Sequence, residues 1–197
     1  MNTFRILTVC TGNICRSPLA EQLLRSELAG LGITVGSAGT DALVGHAMDD
    51  RAARYSAEYG GVPDAHTARQ LTVEHVRESD LILALSREHR RAIVELLPRA
   101  SHTTFTLREF ERLLDTLNDD DRADIAAAPD EHSRLSVLVE IAAANRGVAE
   151  RPDDPSDDDV IDPYRQDDAV YAESVRQLVP AVRAISPTLH RAGAGFR

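Results

Sequence analysis

Four short apolar runs, FRILTV, ITVGSAG, LILAL and TTFTL, are each followed along the chain by segments whose apolar residues recur at helical spacing. Parallel strands need a long crossover between them, and crossovers of this kind are helical, so the alternation implies a parallel sheet with helices packed on it. Strands are expected at Phe4–Val9, Ile33–Gly39, Leu81–Leu85 and Thr103–Leu107. The fold class is therefore a three-layer α/β arrangement, a central four-stranded parallel sheet with helices on both faces. Helices are predicted at Pro18–Ala29 before Gly30, at Asp49–Tyr59 before Gly60-Gly61, and at Thr72–Arg77. Three more follow: from the cap Ser86 to about Leu97, from Arg108 to Leu117, and from about Asp167 to Ile185 with a break or kink at Pro180. The tail AGAGFR is expected to fray.

At 197 residues the chain is read as one domain, 1–197, long enough to bury a real core. No apolar run is long enough to span a bilayer and no secretory signal opens the sequence, so no membrane partner is expected. Two cysteines five residues apart cannot staple a fold of this size, and a reducing, cytoplasmic setting follows. A formal net charge of -10 would repel nucleic acid. The seven histidines lack ligand spacing, so neither a metal nor another cofactor is expected.

Between Asn118 and Asp168 stand 16 acidic residues against 5 arginines, so this stretch carries the whole negative balance. Inside it HSRLSVLVEIAAANRG reads as a short helix between two acidic loops. A solvated, mobile insertion over about 118–152 is expected, placed where it could flank a cleft and favour basic peptides.

The chemistry concentrates in VCTGNICRSP, Val9 to Pro18. A strand runs into a short loop, and Ser17-Pro18 opens a helix whose first amides point outward toward an anion. Cys10 at the strand's end would lie beneath those amides, where the helix dipole and Arg16 favour a thiolate. Arg16 can grip two phosphate oxygens at once, and Gly12 and Asn13 tolerate the left-handed backbone that turns successive amides inward.

VCTGNICRSP closely resembles the phosphate loop of the low-molecular-weight protein tyrosine phosphatases, C-x5-R-[ST]. SAGT at Ser37–Thr40, AHTARQLT at Ala65–Thr72, DLILAL at Asp80–Leu85 and IDPY at Ile161–Tyr164 recur in the family's order. The resemblance covers about residues 3–115 and 158–185. It implies a phosphatase acting on phosphomonoesters, protein phosphotyrosine above all, with a phosphorylated protein as substrate and inorganic phosphate as product. Cys10 would be the nucleophile, Asp162 the general acid, and Arg16 with the loop Thr11, Gly12, Asn13, Ile14, Cys15 and Ser17 the phosphate cradle. Asn13, Ser37 and His66 match residues that brace the loop, Ser17 one that steadies the sulfur, and Tyr164 an aromatic wall of the cleft. Cys15 matches a cysteine that can pair reversibly with the nucleophile.

Departures from the family bear on the substrate. Leu43 and Val44 stand where an aromatic usually faces the DPY tyrosine, Arg165 follows Tyr164 where a second aromatic is common, and Ser86 replaces an aspartate. Ile14 resembles the tyrosine-specific branch, since arginine phosphatases of this fold tend to carry threonine there. Two rival readings remain: an arsenate reductase on the same fold, and a phosphate- or phosphoprotein-binding module with little turnover.

Overall fold

The computed structural model describes residues 3–196. Strand β1 (Phe4–Cys10) leads into α1 (Arg16–Glu27), and β2 (Ile33–Gly39) into α2 (Asp50–Glu58) and α3 (Val73–Arg77). Next come β3 (Leu81–Ala84), α4 (Arg87–Leu96), β4 (Thr104–Thr106), α5 (Leu107–Leu114), α6 (Asp119–Ala127), α7 (Glu131–Asn145) and α8 (Asp168–Gly193). All strand pairs are parallel, in the order β2-β1-β3-β4. The chain leaves β1 toward β2 and later returns to β1's other side as β3. That reversal opens a crevice at the carboxyl end of β1, where Cys10 sits.

The alternation of side chains along the strands sorts the core into two faces. Ile6, Leu81, Leu83 and Phe105 join Leu24, Phe110, Leu178 and Ile185 from α1, α5 and α8 on one face. Leu7, Val9, Ile82 and Ala84 meet Val76 of α3 and Ile93 of α4 on the other. Helix α8 does not break at Pro180: it continues to Gly193 and contains Pro187 as well. Val182, Ile185, Leu189 and Ala192 are buried along it, and that burial offsets the roughly 3 kcal/mol cost of each proline. The tail does not fray over its described part, because the Phe196 amide bonds back to the Arg191 carbonyl at 2.6 Å and its ring packs on the core. Arg197 lies outside the described residues.

The acidic stretch forms two helices anchored by buried apolar side chains, while most of its acidic residues face solvent. Asn118 caps α6 in a reciprocal box with Asp121, and Asp119, Asp120 and Asp121 occupy the first turn, where negative charge suits the helix dipole. Ile125, Leu135, Leu138, Val139 and Ala142 are buried in the main core. The pair of helices does not flank the crevice. Glu131 accepts from the Gly32 amide at 2.8 Å, His132 lies 3.4 Å from Asp80 and edge-on to Phe4, and Arg134 holds the Gly193 carbonyl. Gly32, Phe4 and Asp80 precede or begin their strands, so this end of the insertion sits at the sheet edge opposite Cys10. Among the described residues no helix is long and apolar enough to cross a membrane.

Candidate active site

Helix α1 starts at Arg16, two residues before Pro18, with no side-chain cap and no acidic residue in its first turn. Among the described residues, no acceptor takes the backbone amides of Gly12, Asn13, Ile14 or Cys15. Arg16 is 5% exposed, yet its Nε has no hydrogen-bond partner. Buried donors without acceptors are costly, and four amides beside an unmet guanidinium N–H are a set of donors that an anion could satisfy, a candidate cradle.

Asn13 adopts φ +53°, and its side chain organises the loop. Its amide nitrogen donates to Ser17 Oγ at 2.9 Å and to Ser37 Oγ at 2.8 Å, and its Oδ1 accepts from the Arg69 amide at 2.9 Å. Its backbone carbonyl lies 2.7 Å from His66 Nε2. Both side-chain polar atoms and the backbone carbonyl of this buried asparagine are thus used, which fixes one loop geometry and leaves its amide N–H without an acceptor. The network extends from Ser37 Oγ to Glu21, whose carboxylate pairs with Arg25 and lies 3.9 Å from His66 Nδ1. Gly12 was expected beside Asn13 in the left-handed region but does not occupy it. The glycine the loop does require is Gly39: a Cβ there would stand 2.3 Å from the Thr11 carbonyl oxygen.

Cys10 lies under the cradle with its sulfur 3.0 Å from Ser17 Oγ. Arg16 reaches across to the DPY loop, with Nη2 2.7 Å from Asp162 Oδ2 and Nη1 donating to the Val160 carbonyl at 3.1 Å. Cys10, Ile14, Cys15, Arg16, Asp41, Leu43, Asp162 and Tyr164 line a cleft of about 170 Å³. Leu43 therefore lines the same cleft as Tyr164, and the Arg165 guanidinium lies 5.0 Å from the tyrosine ring. A larger polar hollow of about 360 Å³ lies behind the brace, between Glu21, Arg25 and Arg69. No cysteine lines it, whereas the smaller cleft is lined by both Cys10 and Cys15.

Cys10 and Cys15 are both free thiols. The Cys15 sulfur lies 3.8 Å from the Tyr171 hydroxyl, and burial, then Asp49, push its thiol up to about 12. Two features escaped the sequence reading. His89, buried on the first turn of α4, sits between Thr11 Oγ1 (2.9 Å) and Ser86 Oγ (2.8 Å), and burial together with Arg16 lowers its ring to about 3. Asp159, passed over among the acidic run, is clasped by Arg87. The S-x-x-H spacing at a helix start was the available signal for His89.

A family model described as "Low molecular weight phosphotyrosine protein phosphatase" matches residues 5–145, and the match ends before Asp162. The chain is 46% identical over 99 residues to the low molecular weight protein-tyrosine-phosphatase Etp of Escherichia coli K12, a segment that is 50% of this chain and 66% of that one. It thus spans slightly under two thirds of that relative's length. It is also 41% identical over 107 residues to a protein-arginine-phosphatase of Geobacillus stearothermophilus, covering 54% of this chain and 71% of that one. Among solved structures, the tyrosine phosphatase Wzb from E. coli K30 with sulphate aligns with a TM-score of 0.66 and 26% identity, covering 95% of this chain and 99% of that chain. The G. stearothermophilus YwlE arginine phosphatase aligns at 0.67 and 28%, over 95% and 93% respectively.

Proposed function

Because this chain belongs to the low molecular weight phosphotyrosine protein phosphatase family, we propose that it hydrolyses phosphomonoesters, protein phosphotyrosine foremost, through a phosphocysteine on Cys10. The observation that carries this reading is the set of unaccepted amides from Gly12 to Cys15 around the Cys10 sulfur, completed by the partnerless Nε of Arg16. A phosphoryl group supplies the oxygens all of these donors lack.

The Cys10 thiolate attacks phosphorus, the bond from phosphorus to the substrate oxygen breaks, and Asp162 delivers a proton to the departing oxygen. Asp162, now a carboxylate, takes a proton from water as that water attacks phosphorus, and the S–P bond breaks to release inorganic phosphate and the thiolate. The amides and Arg16 hold the equatorial oxygens where charge develops. Ser17 Oγ stabilises the sulfur both as nucleophile and as leaving group. Phosphate entry also has a local cost: Arg16 exchanges Asp162 for phosphate oxygens, which frees the carboxyl to face the leaving group.

Leu43, Ile14 and Tyr164 make an apolar slot that suits an aryl ring. The test is hydrolysis of an aryl phosphate by the reduced protein, with vanadate as inhibitor and Cys10→Ser alongside. Turnover blocked by vanadate and absent in Cys10→Ser is expected. Vanadate binding without turnover would sink the reading in favour of a binding module, and arsenate-dependent thiol consumption would favour a reductase. Phosphotyrosine (a phosphate ester) and phosphoarginine (a phosphoramidate) peptides compared side by side assign the preferred substrate, with phosphotyrosine expected to lead.

A further inference from the structure

The acid loop is short and is held from several sides: Arg16 of α1 takes Val160 and Asp162, the Ile161 amide donates to Gln177 Oε1 of α8 at 2.8 Å, and the start of α4 takes Asp159. Asp159, three residues before Asp162, accepts the Arg87 backbone amide at 2.7 Å and, through both carboxylate oxygens, Arg87 Nε at 3.2 and 3.1 Å and Nη2 at 2.9 Å. Its own carbonyl accepts from Arg108 Nη1 at 3.1 Å. The next residue, Val160, donates its amide to the Leu85 carbonyl at 2.9 Å and offers its carbonyl to Arg16. Arg87 is the first residue of α4, and two residues further on that same turn His89 meets Thr11 of the cradle. One helical turn therefore holds both loops that must meet at the phosphate.

Resting on the assignment of Asp162 as general acid, we propose that the Arg87–Asp159 clasp is the positioning device for that acid. The clasp itself is partly exposed, and pairs of that kind contribute little to stability. Its geometry contributes more. A bidentate fork plus a helix-start amide leaves the carboxylate a single arrangement. Without it, the approach to Asp162 keeps only the backbone ties of Asp159, Val160 and Ile161, and about 1 Å of misplacement at the acid costs on the order of a hundredfold in rate.

The experiment measures kcat/KM, which reports the step in which the leaving group departs, for para-nitrophenyl phosphate and for phenyl phosphate. A misplaced acid penalises phenyl phosphate, whose leaving oxygen needs the proton, far more than the nitro compound. Asp159→Asn and Arg87→Met are expected to lose at least tenfold more on phenyl phosphate than on para-nitrophenyl phosphate, in the same direction as Asp162→Asn. Arg87→Lys, which restores the charge, should recover part of the loss, and Arg122→Ala, which removes a pair on α6, should not change the ratio. If Asp162→Asn shows the steepening while the clasp variants lose equally on both esters, or lose nothing, the clasp is structural and the proposal falls. If Asp162→Asn itself shows no steepening, the general-acid assignment fails first. Should Asp159→Asn not fold, the Arg87 pair of variants decides alone.

Discussion

Arg16 and Asp162 form an ion pair across the cleft, Nη2 to Oδ2 at 2.7 Å, with the arginine almost wholly buried and the aspartate half exposed. The group proposed to grip phosphate and the group proposed to protonate the leaving oxygen are thus each other's partners until a phosphate separates them.

It follows that the carboxylate competes with ligand for the guanidinium. Asp162→Asn is expected to lower kcat by about a hundredfold or more, the usual contribution of a general acid, while vanadate binds as tightly as before or several-fold more tightly. Inhibition constants for vanadate in wild type and variant check this. Weaker vanadate binding in the variant would show that Asp162 supports the cradle rather than competing with it.

Thiol reactivity should divide sharply between the two cysteines. Iodoacetamide near neutral pH is expected to modify Cys10, with inorganic phosphate protecting it, and to leave Cys15 alone, since burial and Asp49 hold the Cys15 thiol up to about 12. Peptide mass mapping reads the outcome. Equal labelling of both cysteines would mean that the loop opens in solution.

His89 makes a pH-dependent contribution of defined sign. Its ring stays neutral down to about 3 in the folded protein, whereas in the unfolded chain it takes a proton near 6.5. Between those values the unfolded state binds a proton that the folded state does not, so stability falls as pH falls below about 6.5, by on the order of 1 kcal/mol per pH unit. Denaturant melts of wild type and His89→Gln at pH 7 and pH 5 test it. The variant is expected to start less stable and to lose less on acidification. An acid slope unchanged from wild type would refute the assignment.

The acidic helices should matter for folding and not for peptide choice. Ile125→Ala is expected to destabilise by about 2–5 kcal/mol, as for other fully buried aliphatic side chains. Neutralising Asp119, Asp120 and Asp121 together should leave the preference between acidic and basic phosphopeptides within about twofold, and cost stability through lost capping. A selectivity change beyond that would place these charges within reach of the substrate.

The strands and the strand–loop–helix turn that carries Cys10 and Arg16 were legible because their signals are local. FRILTV ending at a cysteine, and Arg16-Ser17-Pro18 opening a helix, depend on residues within a few positions of one another. Helix α6 was not, since a run of aspartates reads as a loop unless Asn118 is recognised as its cap and the first turn as the place where such charge is tolerated. Helix α8 outran Pro180 because tertiary burial outweighed a local rule. The roles of His89 and Asp159 were harder to read for a further reason: S-x-x-H marks His89 only as a residue at a helix start, and the partners Thr11 and Arg87 lie 78 and 72 residues away, brought close only by the folded sheet. Gly12 shows the converse, a glycine whose freedom the loop leaves unused.

Gly39 carries no side chain and takes no part in any step, yet the Thr11 carbonyl occupies the space a methyl group would need. Even the smallest replacement would have to displace the loop that also carries the Thr11 contact to His89. Lineages of this protein should therefore tolerate drift at Leu43 or along α6 far more readily than at Gly39, whose loss would erode function as surely as the loss of the sulfur.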